Sequence, residues 1–193
     1  MLPLHKLLDL PIFALYLKMI QLHDLQFQAY LSSEEIQQTV KTLAHELSTT
    51  YADKNPIFVG VLNGAFMFLS DLLQHFEGDC EVEFVKMKSY EGTSTTGNVK
   101  VDLDFPNLEN RHVIVVEDIV DTGNTLVTMH ELLQSKNTKS LAYCSLFLKP
   151  EVYKKDLEID FVGMAIPNKF IVGYGLDYNG LGRNLPEIYQ LKA

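Results

Sequence analysis

The chain has 193 residues, 47% hydrophobic and 21% charged, with a formal net charge of −9. That length suffices for one domain with a sizeable core, and the composition excludes disordered, collagen-like and cross-linked mini-protein classes. Only 16 Lys and Arg stand against 25 Asp and Glu, which argues against a broad nucleic-acid footprint but not against a small anion held by backbone amides.

Cys80 and Cys144 lie in apolar or alternating segments and read as reduced, packed thiols. No cysteine cluster has metal-ligand spacing, so a structural zinc gains no support, and nothing requires an oxidising compartment. Residues 1–30 read as an N-terminal extension, with an amphipathic helix near Leu7–Leu17 and Met19 as a second candidate initiator. The apolar stretch Leu7–Ile20 is broken by Asp9, Pro11 and Lys18. It is too short and interrupted for a membrane span and lacks a basic start and a small-residue cleavage site, so the chain reads as cytosolic.

Ser32 with Glu35 fits a capping box. Ile36, Val40, Leu43 and Leu47 then place one apolar stripe on a helix. Ile57–Leu62 reads as a buried strand, Asn63-Gly64-Ala65 as a turn, and Phe66–Phe76 as a helix packed on the sheet. That turn is either a plain loop or a place where backbone N–H groups collect an anion. Glu81–Lys88 alternates as a strand does. Ser89–Asn98 is rich in Gly, Ser and Thr, and alternation resumes at Val99, Val101 and Leu103. This is either a long hairpin connection or a lid, and Tyr90 suits a lid because an aromatic ring makes a rigid cover.

Val113–Val116 is an apolar run suited to a strand buried on both faces, and it leads at once into Glu117 and Asp118. Asp121-Thr122-Gly123-Asn124-Thr125 follows, and a helix runs from Asn124 to about Lys136. Ser140–Leu148 is a further strand, ending at Lys149-Pro150. Asp160–Ile166 and Phe170–Tyr174 are short strands joined by Pro167-Asn168-Lys169. Asp177–Arg183 is turn-rich, and Asn184–Leu191 forms one short strand or a turn. Strands alternating with helices predict an α/β fold with a mostly parallel sheet, and the late strands a small subdomain or edge.

The central stretch carries the chemistry. It has neither the G-x-G-x-x-G of a dinucleotide fold nor the G-x-x-x-x-G-K-[ST] of a P-loop. Its Asp121–Thr125 loop sits between strand and helix, where amides and two threonine hydroxyls suit a phosphate. Glu117 and Asp118 are either a solvated strand end or acceptors for sugar hydroxyls and Mg²⁺. Asp121 is either a helix N-cap or a reactive carboxylate. Taken singly, Lys149 reads as a surface lysine and Phe170 as core.

The apolar strand, the acidic pair and Asp-Thr-Gly-Asn-Thr together resemble the phosphoribosyl-pyrophosphate signature of the type I phosphoribosyltransferases, and later segments resemble its hypoxanthine-guanine branch. The resemblance runs from about Ser33 to the C-terminus. It implies one domain over residues 31–193, a central mostly parallel sheet flanked by helices, a flexible hairpin loop, and a small hood from about 150–193 to which N-terminal residues are further candidate contributors. It implies transfer of a phosphoribosyl group to hypoxanthine or guanine, with Mg²⁺ as cofactor and a homodimer or homotetramer as assembly. Neither nucleic acid nor membrane is an expected partner.

Residue by residue, Leu62-Asn63-Gly64 resembles the pyrophosphate loop, which often holds a non-proline cis peptide, with Asn63 where lysine is usual. Ser89 and Tyr90 resemble the start of the catalytic loop. Thr122, Gly123, Asn124 and Thr125 would hold the 5′-phosphate, and Glu117 and Asp118 the ribose hydroxyls, directly or through Mg²⁺. Asp121 resembles the general base. Lys149 resembles the donor to a purine 6-oxo group, which disfavours adenine. Phe170 would stack on the base and the Ile171 backbone contact its edge. Asp177 resembles a ligand of a second Mg²⁺, and Arg183 a pyrophosphate clamp. The alternatives are another acceptor, such as xanthine, and a non-catalytic sugar-phosphate sensor. The acidic balance and the lack of a helix-turn-helix pattern weigh against the sensor.

Overall fold

A computed structural model describes residues 18–87 and 107–192. Three runs of apolar residues set its centre. Strands β3 (Ile57–Leu62), β5 (His112–Val120) and β6 (Ser140–Leu148) are apolar on both faces, so both faces must be covered. With β4 (Glu81–Lys86) and β7 (Phe161–Ala165) they form a parallel sheet in the order β4-β3-β5-β6-β7.

Helices α1 (Ser33–Tyr51) and α2 (Phe66–His75) cover one face, burying Ile36, Val40, Leu43 and Leu47 with Phe68, Leu72, Ile114 and Val116. Helix α3 (Asn124–Gln134) covers the other with Leu126, Met129 and Leu133 against Val113 and Val115. The capping box is present: the Glu35 N–H donates to Ser32 Oγ (3.2 Å), and the Ser32 N–H donates to Glu35 Oε2 (2.8 Å). Truncating a fully buried stripe residue such as Leu47 to Ala costs about 2–5 kcal/mol.

The sequence reading assigned no strand before residue 31. Instead β1 (Met19–Leu22) and β2 (Leu25–Leu31) form a hairpin, turning at His23-Asp24 with His23 at φ 50°. Ile20, Leu22, Leu25, Phe27 and Ala29 give the apolar face of that hairpin, and the short tight turn puts Leu22 and Leu25 on the same side. With β8 (Ile171–Val172) and β9 (Ile188–Leu191) they make an antiparallel sheet, β1-β2-β9-β8, around Phe27, Ala29, Val172 and Tyr189.

The two late strands separate. β7 adds an edge to the parallel sheet, whereas β8 joins the small sheet. The expected Phe170–Tyr174 strand shrinks to two residues because Gly173, Tyr174 and Gly175 all have positive φ, which no strand continues. Among the described residues, no helix is long and apolar enough to cross a membrane.

Candidate active site

The C-terminal ends of β3, β5 and β6 meet the loop that follows β8. In open α/β sheets ligands bind at that edge. Strand β3 delivers Asn63 and Gly64 after a cis peptide between Leu62 and Asn63. Strand β5 delivers the acidic pair. By the two-residue period, Glu117 extends the face of Val113 and Val115, and Asp118 that of Ile114 and Val116.

Gly64 lies against Asp118: a Cβ on it would stand 1.7 Å from Asp118 Oδ2. From the other side Gly175 meets Gly64, where an added Cβ would stand 2.1 Å from the Gly64 carbonyl oxygen. Only glycine fits at either point, and the Asn63-Gly64 loop is thereby wedged between the strand end and the loop after β8.

Burial, then the neighbouring Asp118 charge, pushes the Glu117 carboxyl up to about 8. Its Oε1 is buried with no hydrogen-bond partner. Burial also pushes Asp118 up to about 6, against the pull of the Ile119 N–H on its Oδ1 (2.9 Å) and of the Arg183 charge.

Lys149, buried at the end of β6, forms an ion pair with Asp121 at 2.8 Å. Its backbone is clasped from both sides: its N–H donates to Val120, and its carbonyl accepts from Val152 and Tyr153. Asp121 does not cap α3. The N-cap is Gly123 in the left-handed region at φ 76°, with no side-chain cap. That leaves the first-turn N–H groups of α3 without helix carbonyls, which suits an anion. The Tyr153 ring packs on the Gly123 backbone, where a Cβ would stand 2.3 Å from Tyr153 Cε2.

Phe170 is 42% exposed rather than core. Its ring is braced by Tyr178 (5.8 Å, edge-on) and Phe27 (6.0 Å, tilted). Asp177 and Arg183 pair at 2.5 Å. Backbone groups brace both partners: Gly180 N–H donates to Asp177 Oδ2, and Arg183 Nη1 donates to the Gly175 carbonyl, each at 2.6 Å.

These groups converge on a cleft of about 230 Å³. Asn63, Gly64, Asp118 and Asp121 line it together with Lys149, Phe170, Ile171, Asp177 and Arg183. A family model described as the phosphoribosyl transferase domain matches residues 26–179. The chain belongs to the phosphoribosyl transferase domain family.

Relatives within the family are close. A hypoxanthine-guanine phosphoribosyltransferase of Aquifex aeolicus is 43% identical over 84% of this chain and 93% of its own. The crystal structure of a Staphylococcus aureus hypoxanthine phosphoribosyltransferase is 42% identical with a TM-score of 0.80, covering 86% of this chain and 91% of that one. A Bacillus anthracis hypoxanthine-guanine phosphoribosyltransferase structure is 38% identical with a TM-score of 0.79, covering 86% and 98%.

Against this phosphoribosyl transferase frame, Glu117, Thr122, Gly123, Asn124 and Thr125 lie outside the cleft's lining although they adjoin it in the chain. Ser89 and Tyr90, expected in the catalytic loop, lie outside the described residues. Ile119 and Leu176 line the cleft and were not singled out from sequence. Nor were Gly175 and Tyr153, which shape the two loops by contact. Gly173-Tyr174-Gly175 is a signal that could have found the first, since alternating glycines interrupt a strand; no local pattern marks Tyr153.

Proposed function

We propose that this chain transfers the 5-phosphoribosyl group from 5-phosphoribosyl 1-pyrophosphate to hypoxanthine or guanine, releasing pyrophosphate and IMP or GMP. The observation that carries the proposal is that one cleft is lined together by the Asp121–Lys149 pair, an exposed, braced Phe170, Gly64 and the Asp177–Arg183 pair. Named relatives at about 42% identity support the same substrates.

In this reading the purine lies on Phe170, with Lys149 donating to its 6-oxo group and the Ile171 backbone at its edge. Asp121 accepts the proton from N7 as the purine N9 bonds to C1′ and the C1′–O bond to pyrophosphate breaks. Glu117 and Asp118 take the ribose hydroxyls, the Thr122–Thr125 loop the 5′-phosphate, and the Asn63-Gly64 amides with Arg183 the pyrophosphate. Ser89 and Tyr90 would belong to the segment that excludes water from the activated sugar.

Mg²⁺ fits this donor set. Among the described residues no three His, Cys, Asp or Glu side chains gather to hold a metal alone, but Mg²⁺ is commonly held by one or two carboxylates together with substrate phosphates. The unpartnered Glu117 oxygen, Asp118 and Asp177 are the hard oxygen ligands on offer. When bound, Mg²⁺ would offset the charge of the departing pyrophosphate. The chain is further proposed to act in the cytoplasm, as a homodimer or homotetramer.

The test is turnover by the purified chain with Mg²⁺, phosphoribosyl pyrophosphate and, in turn, hypoxanthine, guanine, xanthine and adenine. Nucleotide from hypoxanthine or guanine is expected. Binding of the sugar phosphate without turnover of any base would overturn the proposal in favour of a sensor.

A further inference from the structure

Tyr174 has no role in the chemistry above, yet its setting is unusual. It has φ 45°, a conformation that bulky side chains rarely adopt, and it is 2% exposed. On either side stand Gly173 and Gly175, at φ 107° and 99°. Both glycines press main chain on main chain. A Cβ on Gly173 would stand 2.0 Å from the Glu187 carbonyl oxygen, and one on Gly175 2.1 Å from that of Gly64.

The Tyr174 side chain crosses to the helical layer. Its hydroxyl donates to Asp71 Oδ2 on α2 at 2.6 Å, and Gln37 Nε2 on α1 donates to the same oxygen at 2.5 Å. Burial and the adjacent carboxylate push the Tyr174 phenol up, so the hydroxyl keeps the proton it donates. Helix α2 begins directly after the Asn63-Gly64-Ala65 loop. One hydrogen bond therefore spans the two segments whose main chains touch at Gly64 and Gly175. The second segment also carries the Gly175 carbonyl that holds Arg183, and Asp177 lies two residues beyond it.

We infer that Tyr174 and Asp71 form a positioning latch that fixes the Asn63-Gly64 loop against the Asp177–Arg183 arm, and so sets the pyrophosphate end of the site without touching substrate. The inference rests on the proposed function for the identity of the ligand. At the base end the Asp121–Lys149 pair stands apart, fixed by β5 and β6 and, among the described residues, sharing no hydrogen bond with the latch, whereas Phe170 is braced by Tyr178 on the latched arm.

The test is steady-state kinetics of the full chain carrying Tyr174→Phe, Asp71→Ala or Asp71→Asn. Tyr174→Phe keeps the ring and removes the bond. It should raise KM for phosphoribosyl pyrophosphate about tenfold, the loss matching a charge-assisted hydrogen bond, and KM for hypoxanthine clearly less, because the Asp121–Lys149 pair does not depend on the latch. Asp71→Ala should match it and the double variant add little, whereas Asp71→Asn, which still accepts the hydroxyl bond, should recover most of the loss. Equal increases in both KM values, or an unchanged KM for phosphoribosyl pyrophosphate, would overturn the latch. If Tyr174→Phe does not fold, the Asn-against-Ala difference at Asp71 decides. Should the wild-type chain bind phosphoribosyl pyrophosphate without turnover, the function proposal fails alone, and its affinity across the same variants still reads the latch.

Discussion

The cleft holds two acid–base pairs that differ in how they are supported. In the Asp121–Lys149 pair the lysine side chain is 8% exposed and the aspartate 44%. The cation is fixed by the sheet while the carboxylate stands toward solvent, free to exchange its partner for a ligand. In the Asp177–Arg183 pair the two side chains are comparably exposed, and backbone groups of Gly175 and Gly180 brace both. The first pair is built on long parallel strands; the second on a glycine-rich loop held by contacts. The difference teaches that the Asp121–Lys149 end, which the proposed function gives to the base, owes its geometry to secondary structure, and the Asp177–Arg183 end, which it gives to pyrophosphate, to packing between loops.

The largest effect should come from breaking the first pair at its exposed member. Asp121→Asn keeps the shape but removes the proton acceptor. Turnover should fall by about 10²–10⁴, the usual worth of a general base, with phosphoribosyl pyrophosphate binding retained. Calorimetric affinity measured beside the turnover rate checks this, and equal turnover would remove Asp121 from the base role.

Next in size is a probe of loop packing. Gly64→Ala places a methyl where the Asp118 carboxylate leaves no room. The loop must shift, at about 1–3 kcal/mol for overpacking. KM for phosphoribosyl pyrophosphate should rise well above that for hypoxanthine. Similar rises for both substrates would show that the two ends are not mechanically separate.

A smaller effect concerns the ground between the pairs. Glu117 and Asp118 are held protonated more readily in the fold, at about 8 and about 6, than in the unfolded chain, where such carboxyls have their ordinary values of 4.5 and 3.8. Between those limits the folded state binds more protons, so stability falls as pH rises. The metal- and ligand-free chain should lose melting temperature from about pH 4.5 to pH 8, and Glu117→Gln should flatten the upper part of that slope. A wild-type profile flat across this window would contradict the buried, unpartnered state of Glu117.

The contrast between the two ends also governs what the sequence reveals. The β3, β5 and β6 runs, the capping box and the Asp121–Thr125 loop are contiguous, so period and motif suffice to place them. Lys149 becomes a site residue only because β6 lies beside β5, a long-range pairing that no local window contains. Phe170, Asp177 and Arg183 were reached through family resemblance, since singly they look like core or surface. The β1–β2 hairpin was missed because it gains its buried face only on meeting β9 at the far end of the chain. Tyr174 and Asp71, 103 residues apart, have no sequence signal at all.

The smallest expected effect tests the loop side directly. Asn63 stands exposed at the cleft wall, where the family resemblance places a lysine. Its amide can donate a hydrogen bond but adds no charge, leaving Arg183, among the described residues, as the arginine that lines the cleft. Asn63→Lys adds a flexible ammonium beside a multiply charged anion in a solvent-open site, where such a charge is worth about 1 kcal/mol or less. Pyrophosphate should therefore inhibit the variant a few-fold more strongly, with the gain shrinking as salt is raised, and Km for hypoxanthine should not move. Unchanged inhibition at low salt would mean that Arg183 and the loop amides already satisfy the anion, and that packing rather than charge sets the pyrophosphate end.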